Sequence, residues 1–260
     1  MFKLDEFMGK RVLKSSLIDD KGVVAFFTTR DLPLKSGERD DLIEEVEQNK
    51  KLISIGLNIP QENLFIPVQT HSDNVEIIDL KKHNYPDCDA LVTNKKEIVI
   101  GLNFADCVPI IFYDPIKKAV ACAHAGWRGT VAKIGPKTIE KMVKEFGSKP
   151  EDIIALIGPA IGKCCFEIGE DVKTKLLKSL DVVGIENQTD LLDQCFENNH
   201  ADLKQINKIQ LLANGLKKID VCEYCTSCQS ELFFSYRKEK GNTARHSAVV
   251  ILTNLQEEKA

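Results

Sequence analysis

The chain has 260 residues and carries 35 Lys and Arg against 39 Asp and Glu, for a net charge of -4. That balance excludes a global basic field for nucleic acid, and no apolar run is long enough to cross a bilayer. Nine cysteines form an odd count in a long chain. The first residues, MFKLDEFMGKR, lack the layout of a signal peptide, so reduced thiols or metal ligands in a cytoplasmic protein are expected rather than a disulfide framework.

In chain order, Gly22 to Phe27 is apolar and β-branched and reads as a strand ending in Thr28-Thr29-Arg30. Leu32 to Asp41 is loop-like, and Asp41 to Leu57 carries apolar residues at helical spacing. Leu64 to Gln69 reads as a short strand, held to an edge or bulge by Pro67. Strands follow at Asn74 to Ile78, Cys88 to Val92, Ile98 to Phe104, Val108 to Tyr113 and Ala119 to Ala123. Ile139, Met142, Val143 and Phe146 mark a helix with Gly147 as its C-cap. Ile153 to Ile157 is a strand, and helices are expected after Gly169-Glu170-Asp171 and from Leu203 to Leu216. Phe233 to Tyr236 and Ala248 to Leu252 read as closing strands.

The strand spacing is too uneven for a regular βαβ array, and no Gly-rich phosphate loop follows a first strand. There is no repeat, low-complexity tract or linker. The expected class is α+β, with one domain over residues 1–260: a mixed β-sheet α/β sandwich with flanking helices.

Three strand-like runs end in metal-ligating or nucleophilic types. Leu64 to Gln69 delivers His71, Ile98 to Phe104 delivers Cys107, and Ala119 to Ala123 delivers His124. Brought together at strand ends, two imidazoles and a thiolate suit Zn²⁺ and leave a fourth position open, which is the catalytic arrangement. The same residue types also suit a thiol enzyme with Cys107 as nucleophile and a histidine as base. Spacing alone leaves both readings open, beside the plain one of hydrogen-bonded histidines and a core cysteine.

Cys222, Cys225 and Cys228 form C-x₂-C-x₂-C, the kind of run that binds zinc or an Fe–S cluster. No fourth thiolate lies near by in sequence; Cys164, Cys165 or Cys195 would reach it only through the fold. The reading favoured is a reduced cysteine-rich loop. Arg30, Arg128, Arg237 and Arg245 each stand beside a strand end or turn, where a planar guanidinium suits phosphate or carboxylate.

The runs QTHSDNV, CDALVTN, ADCVPIIFYD, AHAGWRGT, IGPAIGKCCFEIGEDV and FFSYRKEKGNTARHSAVVIL, in that order, resemble the laccase-domain family (polyphenol oxidase, YfiH-type) from Gly22 to the C-terminus. The resemblance implies a mononuclear zinc site on His71, Cys107 and His124, the three residues already reached from strand ends. Copper is the second ion such a site could take. The family name suggests multicopper phenol oxidation, but a type 1 copper plus a three-copper cluster needs many histidines, and this chain has five.

The resemblance implies purine nucleoside chemistry instead: phosphorolysis of adenosine, inosine and methylthioadenosine to base and ribose 1-phosphate, with adenosine deamination. A homodimer is implied in the same way. Placed on this sequence, the chemistry makes Asp106 and Asp89 candidate acid–base groups and Arg128 a further catalytic candidate. Arg30, Gln69 and Arg245 are substrate-binding candidates. A metal-free cysteine hydrolase on Cys107, acting on a peptidoglycan precursor, and a metal-binding protein without turnover are the alternatives. The chain departs from the family after Thr29-Arg30, where DLPLKSGERDDLIEE replaces a Gly-rich turn and a Ser-Leu-Asn-Leu segment, so one wall of the pocket is expected to differ.

Overall fold

The computed structural model of the chain describes residues 1–19, 22–82, 84–180 and 194–253. The strands are β1 Phe2–Phe7, β2 Lys10–Ser15, β3 Val23–Thr28, β4 Leu64–Phe65, β5 Val75–Ile77, β6 Ala90–Thr93, β7 Val99–Phe104, β8 Val108–Asp114, β9 Ala119–Ala125, β10 Ile154–Ile157, β11 Phe196–Glu197, β12 His200–Ala201, β13 Lys218–Val221 and β14 His246–Leu252. The helices are α1 Ile43–Leu57, α2 Trp127–Val131, α3 Ile134–Phe146, α4 Glu170–Ser179 and α5 Leu203–Ala213.

Two six-stranded mixed sheets form, in the orders β1-β2-β3-β14-β7-β4 and β13-β10-β8-β9-β6-β5, with β11 and β12 as a small separate ribbon. The class and the flanking helices are those expected from the sequence. Period-two alternation decides what each face meets. On β7 and β14, Ile100, Leu102, Phe104, Val250 and Leu252 meet Leu91, Ile111, Val120, Cys122 and Leu156 of the other sheet. The alternate residues Val99, Val249 and Ile251 pack under Ile53 of α1. On the far side, the alanines of β9 pack with Ile139 and Met142 of α3 and with Ile206 and Ile209 of α5. The order is therefore helix, sheet, sheet, helices. Strands β7, β8, β9, β10 and β14 are buried along their whole length, which is why they read as continuous apolar runs.

Local differences from the sequence reading have local causes. The expected strand at Leu64 to Gln69 pairs with its neighbour only at Leu64 and Phe65, because Pro67 has no N–H to continue a ladder. Phe233 to Tyr236 is not a strand; Phe233 and Phe234 are buried from a turn-rich segment. The hairpin of β1 and β2 went unpredicted. Its turn is Met8-Gly9, both at positive φ (51° and 74°), without the Asn-Gly pair that usually signals such a turn.

Candidate metal centre and cavity

Topology brings three segments to one end of the layer between the sheets. β7 belongs to the first sheet and β8 to the second, so Ala105-Asp106-Cys107 is the corner where the chain crosses over. β8 and β9 pair antiparallel with Pro109 opposite His124, which returns the end of β9 to that corner. β4 runs parallel to β7, and the chain after it continues along β7. There the Gln69 amide donates to the Asn103 carbonyl and accepts from the Asn103 N–H, both at 2.8 Å. His71 follows two residues later. The ligand atoms of His71, Cys107 and His124 all lie within 4.8 Å of one another. His124 shares the inter-sheet face of Val120 and Cys122 and packs against Phe104, ring centroids 5.3 Å apart.

Asp89, fully buried at the start of β6, organises this corner. Its carboxylate accepts from the backbone N–H groups of Thr70, His71 and Ser72 at 2.8–3.1 Å and from the Ser72 hydroxyl at 2.8 Å. It also lies 2.6 Å from His124 Nδ1. An ionised carboxylate can only accept, so the proton sits on Nδ1 and Nε2 is left for Cys107 or a metal. The same carboxylate thus shapes the loop that presents His71, whose φ is 64°, and sets the tautomer of His124.

The electrostatics follow from the packing. Burial pushes the Cys107 thiol up, but the charge of His124 and hydrogen bonds from His124 and His71 bring it down to about 6. Burial works against the His124 imidazolium, yet the Cys107 thiolate and Asp89 raise it to about 9. Burial raises Asp89, but the hydrogen bond and charge of His124 together with the hydrogen bonds from Thr70 and Ser72 more than offset this, holding it well below the usual carboxylate range. Two nitrogens and a thiolate converging on one point, with the histidine tautomer set from behind, form a donor set that fits a borderline-soft divalent ion.

A cavity of about 520 Å³ opens over this cluster, lined by all three residues together with Gln69, Asn103, Asp106, Lys35, Glu38, Phe166, Tyr236, Arg237 and Arg245. Its size is within the roughly 300–1,000 Å³ of small-molecule sites. The loop from Leu32 to Asp41 supplies Lys35 and Glu38. It is tied down by Arg245, whose N–H donates to the Lys35 carbonyl at 2.9 Å and whose guanidinium meets Glu38 at 3.1 and 3.2 Å.

The other sequence candidates divide. Asp106, at φ 87°, lines the cavity; its two oxygens accept from the Thr226 hydroxyl and the Arg237 N–H, each at 2.7 Å. Gln69 and Arg245 line it as well. Asp89 does not: it stands behind His124, with its oxygens committed to hydrogen bonds. Arg30 is also off the cavity wall, bonded to Glu239 and to the carbonyls of Ser230 and Phe233, with Phe234 under its guanidinium. Arg128 lies over the Trp127 ring at 4.3 Å, and neither lines the cavity; Trp127 packs on the helical side of the second sheet.

Sequence reasoning names Arg237 among the arginines suited to an anion but gives it no role in the site, and it leaves out Lys35, Glu38, Asn103, Phe166 and Tyr236. Arg237 was the legible one, in the turn FSYRKEKG. Among the described residues its guanidinium donates only to the carbonyls of Cys165 and Glu167, and no carboxylate pairs with it.

A family described as multi-copper polyphenol oxidoreductase laccase matches residues 24–253. The chain is 32% identical to a Bacillus subtilis (strain 168) protein named purine nucleoside phosphorylase YlmD, over 87% of each chain. It is also 32% identical to a protein named adenosine deaminase RL5, from an unknown prokaryotic organism, over 86% of this chain and 92% of that one. The fold is similar to the crystal structure of Bacillus licheniformis hypothetical protein YfiH, with a TM-score of 0.82, 29% identity, and coverage of 97% of this chain and 99% of that one.

Proposed function

The chain belongs to the family described as multi-copper polyphenol oxidoreductase laccase, and we propose that it is a zinc-dependent purine nucleoside enzyme. It would carry out phosphorolysis of adenosine, inosine and methylthioadenosine, and deamination of adenosine. The observation that carries this reading is one cavity holding both a two-histidine, one-thiolate cluster and the cationic side chains of Lys35 and Arg237, which pair with no carboxylate among the described residues. Relatives named purine nucleoside phosphorylase and adenosine deaminase support it. Oxidation of phenols by several coppers needs more imidazoles than the two that converge here.

His71, Cys107 and His124 Nε2 would hold the zinc, which acts when bound as a Lewis acid on water or substrate. Asp89 keeps His124 in the ligating tautomer. Arg237 and Lys35 receive phosphate, and Glu38, held by Arg245, accepts from ribose hydroxyls. In phosphorolysis the bond from the anomeric carbon to the purine nitrogen breaks and one to a phosphate oxygen forms. In deamination water adds to C6 and ammonia leaves. Asp106, next to Cys107 and with a lone pair left on each oxygen, carries the proton exchanged with the purine.

The test is incubation of the chain with adenosine, with and without phosphate. Adenine and ribose 1-phosphate should appear only with phosphate, inosine should form without it, and His124→Ala should abolish deamination. Undiminished deamination by His124→Ala, or by chelated protein, would sink the zinc reading. A second reading rests on the depressed Cys107 thiol between two imidazoles, which also meets the needs of a metal-free thiol hydrolase. Metal analysis of protein purified without chelator separates the two.

A further inference from the structure

Four cysteines converge at a second place, away from the His71, Cys107 and His124 cluster. The sulfurs of Cys164, Cys165, Cys225 and Cys228 all lie within 4.8 Å of one another. Cys228 Sγ is 3.5 Å from both Cys164 Sγ and Cys165 Sγ, and no pair is bonded. In a tetrahedral ZnS₄ unit with Zn–S of about 2.3 Å, the sulfurs stand ~3.8 Å apart. We propose that these four thiolates form a closed, structural zinc site, separate from the catalytic centre.

The two loops that supply the ligands are built to meet. Ala160 bridges Cys225, and Thr226 N–H donates to the Ala160 carbonyl at 3.1 Å. The Gly162 carbonyl accepts from Cys165 and Phe166 N–H, which turns both adjacent thiols inward. Gly162 N–H donates to Cys225 Sγ at 3.2 Å, a bond that stabilises a thiolate. A Cβ at position 162 would crowd the cluster, standing 3.3 Å from Cys164 Sγ and 3.2 Å from Cys225 Cβ. Cys222, the remaining member of the motif, is buried against the inter-sheet core and takes no part. The fourth ligand that the local sequence lacked comes from Cys164-Cys165, about sixty residues earlier in the chain.

Ligand number and spacing select the ion. Four protein thiolates leave no open position, as in structural zinc sites. Sulfurs this close enclose one ion; in an Fe–S cluster the cysteines bind different irons and stand further apart. Each thiol gives up its proton on ligation, so loading releases protons and affinity rises with pH. The ion would join the loop before α4 to the loop before β14. Those loops present Phe166 and Arg237 to the cavity, and Thr226 holds Asp106. The site therefore braces the cavity wall without touching substrate.

The full chain, expressed with zinc and purified without chelator, tests this. Metal analysis should give two zinc ions per chain, falling to one in Cys225→Ser/Cys228→Ser and to one in His71→Ala/His124→Ala. The second variant reports on the nucleoside-site reading, so the two failures are distinguishable. Cys164 and Cys228 are exposed, and alkylation mapped by mass spectrometry on the wild type needs no variant. Chelation should raise their modification rates by roughly tenfold or more. Cobalt in place of zinc should show the charge-transfer and d–d absorption of a tetrahedral tetrathiolate. Rapid alkylation of both cysteines in zinc-loaded protein, a disulfide among the four, or iron with labile sulfide in place of zinc would each overturn the proposal.

Discussion

Asp89 and Asp106 are both buried aspartates near His71, Cys107 and His124, and the partners of their oxygens give them different work. Asp89 accepts from three backbone N–H groups, a hydroxyl and His124, so no lone pair remains for proton exchange with a substrate. Its influence passes through the orientation of His124 and the shape of the His71 loop. Asp89→Asn would place an amide N–H₂ among donors and remove the charge behind the imidazole. Zinc affinity, read by competition with a chromophoric chelator, should weaken by about 10–100-fold. Unchanged affinity would show that Asp89 does not act on the metal. Arg237 makes a prediction of the opposite kind, because its guanidinium faces the cavity and pairs with no carboxylate among the described residues. Arg237→Gln should raise the KM for phosphate roughly tenfold or more, given about 1.5–3 kcal/mol for hydrogen bonds to charged groups. Deamination, which needs no phosphate, should change far less in the same variant.

The junction of β9 with α2 shows what an element's ending is for. Reading HAGWRG as a sharp turn makes its glycines hinges, but Gly126 has φ -63°, open to any residue. What requires glycine there is space: a Cβ would stand 2.8 Å from Cys107 Sγ and 3.1 Å from His71 Cδ2. Gly126→Ala should therefore displace a ligand while leaving the strand and helix intact. Metal content should fall, and far-UV circular dichroism should stay that of the wild type. The same logic applies to the β7–β8 corner, where Asp106 takes a left-handed conformation unusual for a non-glycine residue. Both hydrogen bonds to its carboxylate, from Thr226 and Arg237, help to hold it there.

Across the whole molecule, the layer between the sheets holds a third histidine that is no part of the centre. His246 shares the inward face of β14 with Ala248 and Val250 and packs edge-on to Phe233 at 5.4 Å. Among the described residues neither of its ring nitrogens makes a well-formed hydrogen bond, with only the Pro159 backbone near by. Burial lowers its pKa from 6.5 to about 3, so the folded chain keeps it neutral. Below pH 6.5 the unfolded chain binds a proton that the folded chain refuses, and stability falls as pH drops toward 3. Above that window the effect vanishes; within it the slope from this one group is at most about 1.4 kcal/mol per pH unit. His246→Leu should flatten that part of the profile. Urea unfolding compared at about pH 4.5 and about pH 7.5 should show a smaller loss of stability in the variant. An identical loss in both would clear His246 of the effect.

Much of the fold was legible because buried strands are locally written. The runs at Ile98, Val108 and Ala119 are continuous apolar stretches that had to be central strands, and the α3 stripe of Ile139 and Met142 had to face a sheet. The polar residues at their ends, His71, Cys107 and His124, stood out for the same reason: nothing in strand packing calls for them. The β1–β2 hairpin was invisible because β1 is mostly exposed, β2 buries only two apolar residues, Val12 and Leu13, and the turn lacks the usual residues.

The assignment of strands to sheets could not be read from local pattern. Only the crossing of the chain from one sheet to the other at Asp106 places Cys107 beside both histidines, and only the packed layers put Asp89 behind His124. The wall cations and the Cys164-Cys165 pair beside Cys225 and Cys228 depend on loops far apart in the chain. Periodicity and turn chemistry report which groups one segment must bury. Convergence of distant segments is set by strand order and register, and those are decided when the two sheets pack together.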